Sequence, residues 1–134
     1  MYLVDTNIFL EVMLARQRKD ECKAFLKSLK EGSKNAFVTD FSIYSIMIIM
    51  AGLSKISELK ILLSSLSAYK GAKIYHSRLT DMIRAVEVST SMGLNIDDSI
   101  QYSSALSLGV KAIVSFDRHF DGLDIPRVEP KTIA

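Results

Sequence analysis

The chain has 134 residues, of which 49% are hydrophobic and 24% charged, and its net charge is +2. This is enough apolar material for one domain with a real core, and it excludes a disordered chain. A charge this small does not by itself argue for nucleic acid, and the single cysteine, Cys22, excludes an intrachain disulfide and a cysteine-rich metal site.

Tyr2 to Val4 reads as a short buried strand, followed by a helix over Ile8 to Leu14 with Thr6 or Asn7 near its start. Cys22, Phe25, Leu26 and Leu29 fall at helical spacing between Lys19 and Glu31. Lys19, Lys23 and Lys27 form a polar stripe off that set, and Gly32 is placed to end the helix. Ala36 to Val38 is a strand, and Thr39-Asp40 caps the apolar run from Phe41 to Leu53. That run is shorter than the about 20 residues that span a bilayer, so no membrane is expected and the run reads as a central helix buried on most sides. Ser57 to Tyr69 is a helix with Leu59, Leu62, Leu63 and Leu66 as its apolar face. Lys73 to Tyr75 is a strand, and Leu79, Met82, Ile83 and Val86 again repeat at helical spacing. A helix rich in small residues starts near Asp97-Asp98 and stops at Gly109. Ala112 to Ser115 is a strand, and Pro126-Arg127-Val128 adds an edge strand.

Strands alternating with helices are the pattern of an α/β fold with a mainly parallel sheet. No repeat or linker divides residues 1–134, which read as one domain. The start of the chain is a strand and not a basic, signal-like segment, so a cytoplasmic setting is the expectation.

Acids stand at the ends of these elements. Asp5 follows the first strand, Asp117 follows the strand ending at Ser115, and Asp98 opens the helix before that strand. In a parallel sheet all strand C-termini share one edge, and helix N-termini face the same edge, so these carboxylates can converge. Convergent carboxylates repel and take up protons unless a cation offsets them. A hard divalent ion such as Mg²⁺ or Mn²⁺ does so and equips a site for phosphodiester hydrolysis. Taken singly, Asp5, Asp40 and Asp98 also suit helix caps and Asp117 suits turn chemistry. The functional reading rests on the coincidence of three. No Gly-rich phosphate loop is present, and Asp117 lies too late for a phosphate-accepting receiver domain.

"LVDTNIFLE", "IDDSIQYSSALSLG" and "AIVSFDRHFD" together resemble the PIN-domain ribonucleases, many of them VapC-type toxins. The match covers Asp5-Thr6-Asn7, Asp98-Ser99 through Ala105 to Gly109, and Ser115-Phe116-Asp117 with Phe120. The resemblance implies a PIN-like three-layer α/β/α fold around a mainly parallel sheet of four or five strands. It implies Mg²⁺- or Mn²⁺-dependent cleavage of RNA with Asp5, Asp98 and Asp117 as metal ligands, and Asn7 and Ser115 orienting those carboxylates or a bound water. It also implies a homodimer and an antitoxin partner that blocks the site. Two positions depart from the family pattern. Ser45 stands where a Glu is usual, and His119 stands where many members have an acid. Glu11 and Asp97 are the acids available to substitute. Arg118 and His119 beside Asp117, and Lys19 and Lys23 on the basic second helix, are the candidate phosphate contacts. The rival reading is a catalytically weakened PIN-like domain that binds RNA or protein, which the Ser45 departure favours.

Overall fold

Five short apolar stretches, Tyr2–Val4 (β1), Ala36–Thr39 (β2), Ala72–Tyr75 (β3), Ala112–Val114 (β4) and Arg127–Val128 (β5), pair into one sheet of order β3-β2-β1-β4-β5. The structure is a computed structural model that describes residues 1–134. Every pairing is parallel, with Leu3 aligned to Phe37 on one side and to Ile113 on the other. Parallel pairing needs crossovers, and helices supply them. The helices are Thr6–Met13 (α1), Lys19–Glu31 (α2), Asp40–Gly52 (α3), Ile56–Leu66 (α4), Leu79–Met92 (α5) and Ile96–Leu108 (α6). Short 3-10 turns at Arg118–Phe120 and Pro130–Ile133 complete the chain.

Side chains alternate across the central strands and so create two cores. Val4, Ala36, Val38 and Val114 pack on one face with Ile8 and Phe9 of α1, Phe25 and Leu29 of α2, Ile46 and Met50 of α3, and Leu59 of α4. Leu3 and Ile113 pack on the other face with Val88 of α5, Tyr102 and Ala105 of α6, and Phe120. Each fully buried Val, Leu, Ile, Phe or Met side chain among these contributes about 1.5–3 kcal/mol. The result is the expected three-layer α/β/α arrangement, with five strands.

Gly109 and Gly71 are required by the backbone for different reasons. Gly109 ends α6 at a φ of 63°, which turns the chain into β4. A Cβ on Gly71 would lie 1.9 Å from the Lys34 carbonyl oxygen, because β3 enters the sheet tight against the end of α2.

Two helices face differently from the expectation. The run Phe41 to Leu53 is not buried on most sides: α3 buries Ser42, Ile46 and Met50, while Tyr44 is 62% and Ile48 73% exposed. Its inner face meets the sheet, α1 and α4, and no element covers its outer face. On α5 the stripe Leu79, Met82, Ile83 and Val86 points outward, and the buried side is Asp81, Ala85 and Val88. Spacing shows that four residues share a face but not which way that face turns. Here α5 packs on α6 through its small residues and one hydrogen-bonded acid. Asp81 is 4% exposed and accepts from the Tyr75 hydroxyl at 2.5 Å, the Ser107 hydroxyl at 2.6 Å and the Arg78 backbone N–H at 2.9 Å.

Candidate active site

The strand order reverses at the β1–β4 pair, since β2 and β3 lie on one side and β5 on the other. In an open parallel sheet, such a reversal leaves a crevice beyond the strand C-termini. Asp5 and Ser115 are the residues that directly follow β1 and β4 there. The Asp5 backbone N–H donates to the Val114 carbonyl at 3.0 Å, which fixes the two strand ends together.

Asp5 caps α1, its Oδ1 accepting from the Thr6 N–H at 2.8 Å. The same oxygen accepts from Gln101 Nε2 at 3.2 Å, and Oδ2 accepts from the Ser115 hydroxyl at 2.7 Å. Capping and function are therefore not alternatives at this residue. Burial pushes the Asp5 carboxyl above its ordinary range, against the pull of the Ser115, Gln101 and Thr6 hydrogen bonds.

Asp98 lies in the first turn of α6 but does not cap it, because the N-cap is Asn95. Its carboxyl is buried and is pushed up to about 7. Desolvation is the largest cause, followed by a hydrogen bond shared with Asp117 and by the charges of Asp117, Asp97 and Asp5. Asp117 is half-buried and caps the Arg118–Phe120 turn, its Oδ1 accepting from the His119 N–H at 2.9 Å. The Asp117 N–H donates to the Ser115 hydroxyl oxygen at 2.9 Å, so Ser115 joins two of the three acids.

Asp5, Asp98 and Asp117 line one cavity of about 210 Å³, together with Asn7, Ser45 and Asp97. Gln101, Thr6, Phe41 and Ile49 complete its walls. The expected convergence of the three aspartates on one cavity is thus observed, and Ser45 lies on its wall. Within the cluster, ligand atoms of Asp98, Asp117 and His119 lie within 4.8 Å of one another. A buried Asp98 carboxyl that keeps its proton to about pH 7, beside Asp117 and open to a polar cavity, is chemically suited to a divalent cation, and the donor set fits one.

The remaining candidates separate. Glu11 turns away, its Oε2 accepting from the Arg18 N–H at 2.8 Å, and does not line the cavity. Lys19 and Lys23 are exposed on α2 and also lie outside it. Lys23 instead borders a groove with Val12, Leu26 and Tyr69. Arg118 is exposed on the turn after Asp117. The His119 ring is not free, because its Nδ1 lies 2.8 Å from Asp117 Oδ1 and 3.3 Å from Asp98 Oδ2.

Sequence reasoning missed the support beneath the acids. Gln101 is 2% exposed, and its amide is fully engaged. Nε2 donates to Asp5 and, at 2.7 Å, to the Ser42 hydroxyl, while Oε1 accepts from the Thr39 hydroxyl at 2.7 Å. The Thr6 and Ser42 hydroxyls meet at 3.0 Å. The available signal was a lone Gln among small residues, one turn after Asp98 on the same helix face.

The sequence matches the family described as "PIN domain" over residues 2–126. No curated protein matches it. Among solved structures, it is similar to a toxin-antitoxin complex from Klebsiella pneumoniae, with 18% identity and a TM-score of 0.74, covering 97% of this chain and 98% of that one. It is also similar to VapC20 of Mycobacterium tuberculosis, described as a sarcin-ricin loop cleaving toxin, with 12% identity, a TM-score of 0.79 and coverage of 97% and 100%. FitAcB from Neisseria gonorrhoeae aligns with 17% identity, a TM-score of 0.69 and coverage of 98% and 99%.

Proposed function

This chain belongs to the PIN-domain family, and on that premise we propose that it is a metal-dependent endoribonuclease that hydrolyses RNA phosphodiester bonds and serves as the toxin of a toxin–antitoxin pair. The observation that carries this reading is the meeting of Asp5, Asp98 and Asp117 in one cavity at the β1–β4 edge. Asp98 and Asp117 would hold Mg²⁺ or Mn²⁺, with Asp5 beside them. Such an ion supplies charge stabilisation to a phosphodiester under attack and makes water a better nucleophile at neutral pH.

The protein's own part is to hold and orient. Three neutral donors, from Thr6, Gln101 and Ser115, fix the Asp5 carboxylate in one rotamer. Ser115 sets the spacing between Asp5 and Asp117. Asn7 stands exposed at the rim, where its amide can hydrogen-bond the substrate. Arg118 is the cation next to the chemistry and is the phosphate contact in this reading. Phe41 and Ile49 give the cavity its apolar wall.

A homodimer is part of the proposal, supported by the outward apolar stripe of α5, where Leu79 is 70%, Ile83 54% and Val86 58% exposed. An antitoxin partner is supported by the similarity to a chain solved in a toxin-antitoxin complex. A cytoplasmic setting belongs to the same reading, and no helix is long and apolar enough to cross a membrane.

Ser45 on the cavity wall favours a second reading, in which the domain binds RNA or protein without cleaving it. One experiment separates the two. An RNA panel is incubated with Mg²⁺ or Mn²⁺ and with either wild type or Asp5→Asn. Cleavage by wild type alone supports the nuclease. Equal cleavage by both proteins identifies a contaminant and removes the proposal, and metal binding without turnover favours the binding module.

A further inference from the structure

His119 occupies an unusual position for an exposed residue. Its side chain is 66% exposed, yet its Nδ1 lies between two acids of the site, 2.8 Å from Asp117 and 3.3 Å from Asp98. Two features fix it there. The backbone N–H of His119 donates to Asp117 Oδ1, and the next residue, Phe120, is fully buried in the core under α6. The ring is therefore delivered by a pinned turn and not by a mobile loop. Nδ1 and one oxygen from each aspartate lie within 4.8 Å of one another, which is the spread of three ligands around one ion.

The chemistry of this donor set differs from an all-carboxylate site. Ser45 contributes a neutral hydroxyl to the wall, and His119 offers an imidazole nitrogen beside the two aspartates. Fewer anionic oxygens weaken the attraction for Mg²⁺, which strongly prefers oxygen ligands and gives up water reluctantly. An imidazole nitrogen suits later, softer divalent ions. We propose that His119 Nδ1 is a direct ligand of this centre and that the mixed oxygen–nitrogen set makes the protein take Mn²⁺ or Co²⁺ in preference to Mg²⁺. The proposal rests on the reading of the acidic cavity as a metal centre.

The test uses the full chain and the metals alone. Calorimetry gives the Mn²⁺, Co²⁺ and Mg²⁺ affinities of wild type, His119→Gln, His119→Asp and Asp98→Asn. Pulsed EPR on the Mn²⁺ form reports any directly bound nitrogen. Circular dichroism checks that each variant is folded. The expected result is a nitrogen coupling in wild type that is lost in His119→Gln. Mn²⁺ and Co²⁺ affinity should fall by about tenfold or more in that variant, with Mg²⁺ affinity essentially unchanged. His119→Asp should narrow the gap between Mn²⁺ and Mg²⁺. Loss of Mn²⁺ binding in Asp98→Asn, with no nitrogen coupling in wild type and unchanged affinities in His119→Gln, overturns the ligand role and leaves the metal centre standing. Full Mn²⁺ affinity in Asp98→Asn overturns both.

Discussion

Replacing Asp98 with Asn should make the metal-free protein more stable above neutral pH while removing its response to metal. An Asp carboxyl whose midpoint moves from 3.8 to about 7 on folding carries a penalty of roughly 4 kcal/mol when it is fully ionised. The folded state binds the proton more tightly than the unfolded chain does. The penalty is therefore absent below the unfolded midpoint, grows as pH rises from about 4 to about 7, and is complete above that. The repulsion is shared with Asp117, Asp97 and Asp5, so one substitution relieves part of it, on the order of 2–4 kcal/mol. Asp5 is raised as well, so the variant keeps a residual slope of the same sign. The assay is urea unfolding in EDTA at about pH 5 and about pH 8, with the slope of each transition checked to be unchanged. Wild type should lose stability between these conditions, and Asp98→Asn should lose much less. Added Mn²⁺ at about a hundred times its Kd should then stabilise wild type by about 2.7 kcal/mol and the variant hardly at all. A variant less stable than wild type at alkaline pH, or a wild type whose stability is flat across the range, would refute the reasoning.

Asp81 should behave in the opposite way. Burial opposes its charge, but hydrogen bonds from Ser107, Tyr75 and Arg78 outweigh that and hold its carboxyl well below the usual range. Its contribution is thus present above the ordinary carboxylate midpoint and is lost as pH falls below it. Asp81→Asn should cost about 2–3 kcal/mol near neutrality, because buried donors lose their acceptor, and should leave Mn²⁺ affinity unchanged by calorimetry. An unaltered urea midpoint would contradict this. Ser45→Glu should tighten Mn²⁺ binding, and no change in calorimetry would mean that position 45 does not reach the ion. Leu79→Glu combined with Ile83→Glu should convert a dimer to a monomer in analytical ultracentrifugation, and a persisting dimer would exclude the α5 stripe as its interface.

The acids were legible in the sequence because strand ends and helix starts are local features with strong signals. The Val-Asp step at position 5 and the Ser-Phe-Asp step at position 115 give the strand boundary directly, and parallel topology does the rest. The α2 boundaries, Lys19–Glu31, were legible for the same local reason, with Gly32 ending the helix at a φ of 86°. The facing of α5 was not, because four apolar residues on one stripe imply a buried face only if something covers them. The inward choice of Asp81 depends on Tyr75 and Ser107, which come from other elements. The role of Gln101 was equally hidden. Its partners Asp5, Thr39 and Ser42 lie 96, 62 and 59 residues away in the chain, a contact set that only the sheet order brings together.

Asp81 and Asp98 make an internal comparison that bears on function. Both are buried aspartates on packed helices of the same domain. Asp81 is surrounded by donors and is held ionised, as a structural carboxylate should be. Asp98 has other carboxylates and the His119 ring, at 3.3 Å, as its neighbours and retains a proton to about 7. The chain does not lack cations to compensate it, since Lys and Arg outnumber Asp and Glu by 17 to 15. Three of its arginines pair elsewhere, Arg18 with Glu21 and Glu129, Arg78 with Asp81, and Arg127 with Asp121 and Glu129, and Arg118 beside Asp117 makes no ion pair with the acids. Around Asp5 the compensation is by neutral groups only, from Thr6, Gln101 and Ser115. These donors fix the geometry of the carboxylate without cancelling its charge. A fold that needed these acids only for caps would gain by neutralising them with an arginine or replacing one with asparagine. An arrangement that orients anionic oxygens and leaves their charge uncancelled is destabilising by itself, and it becomes favourable once a divalent cation enters the cavity.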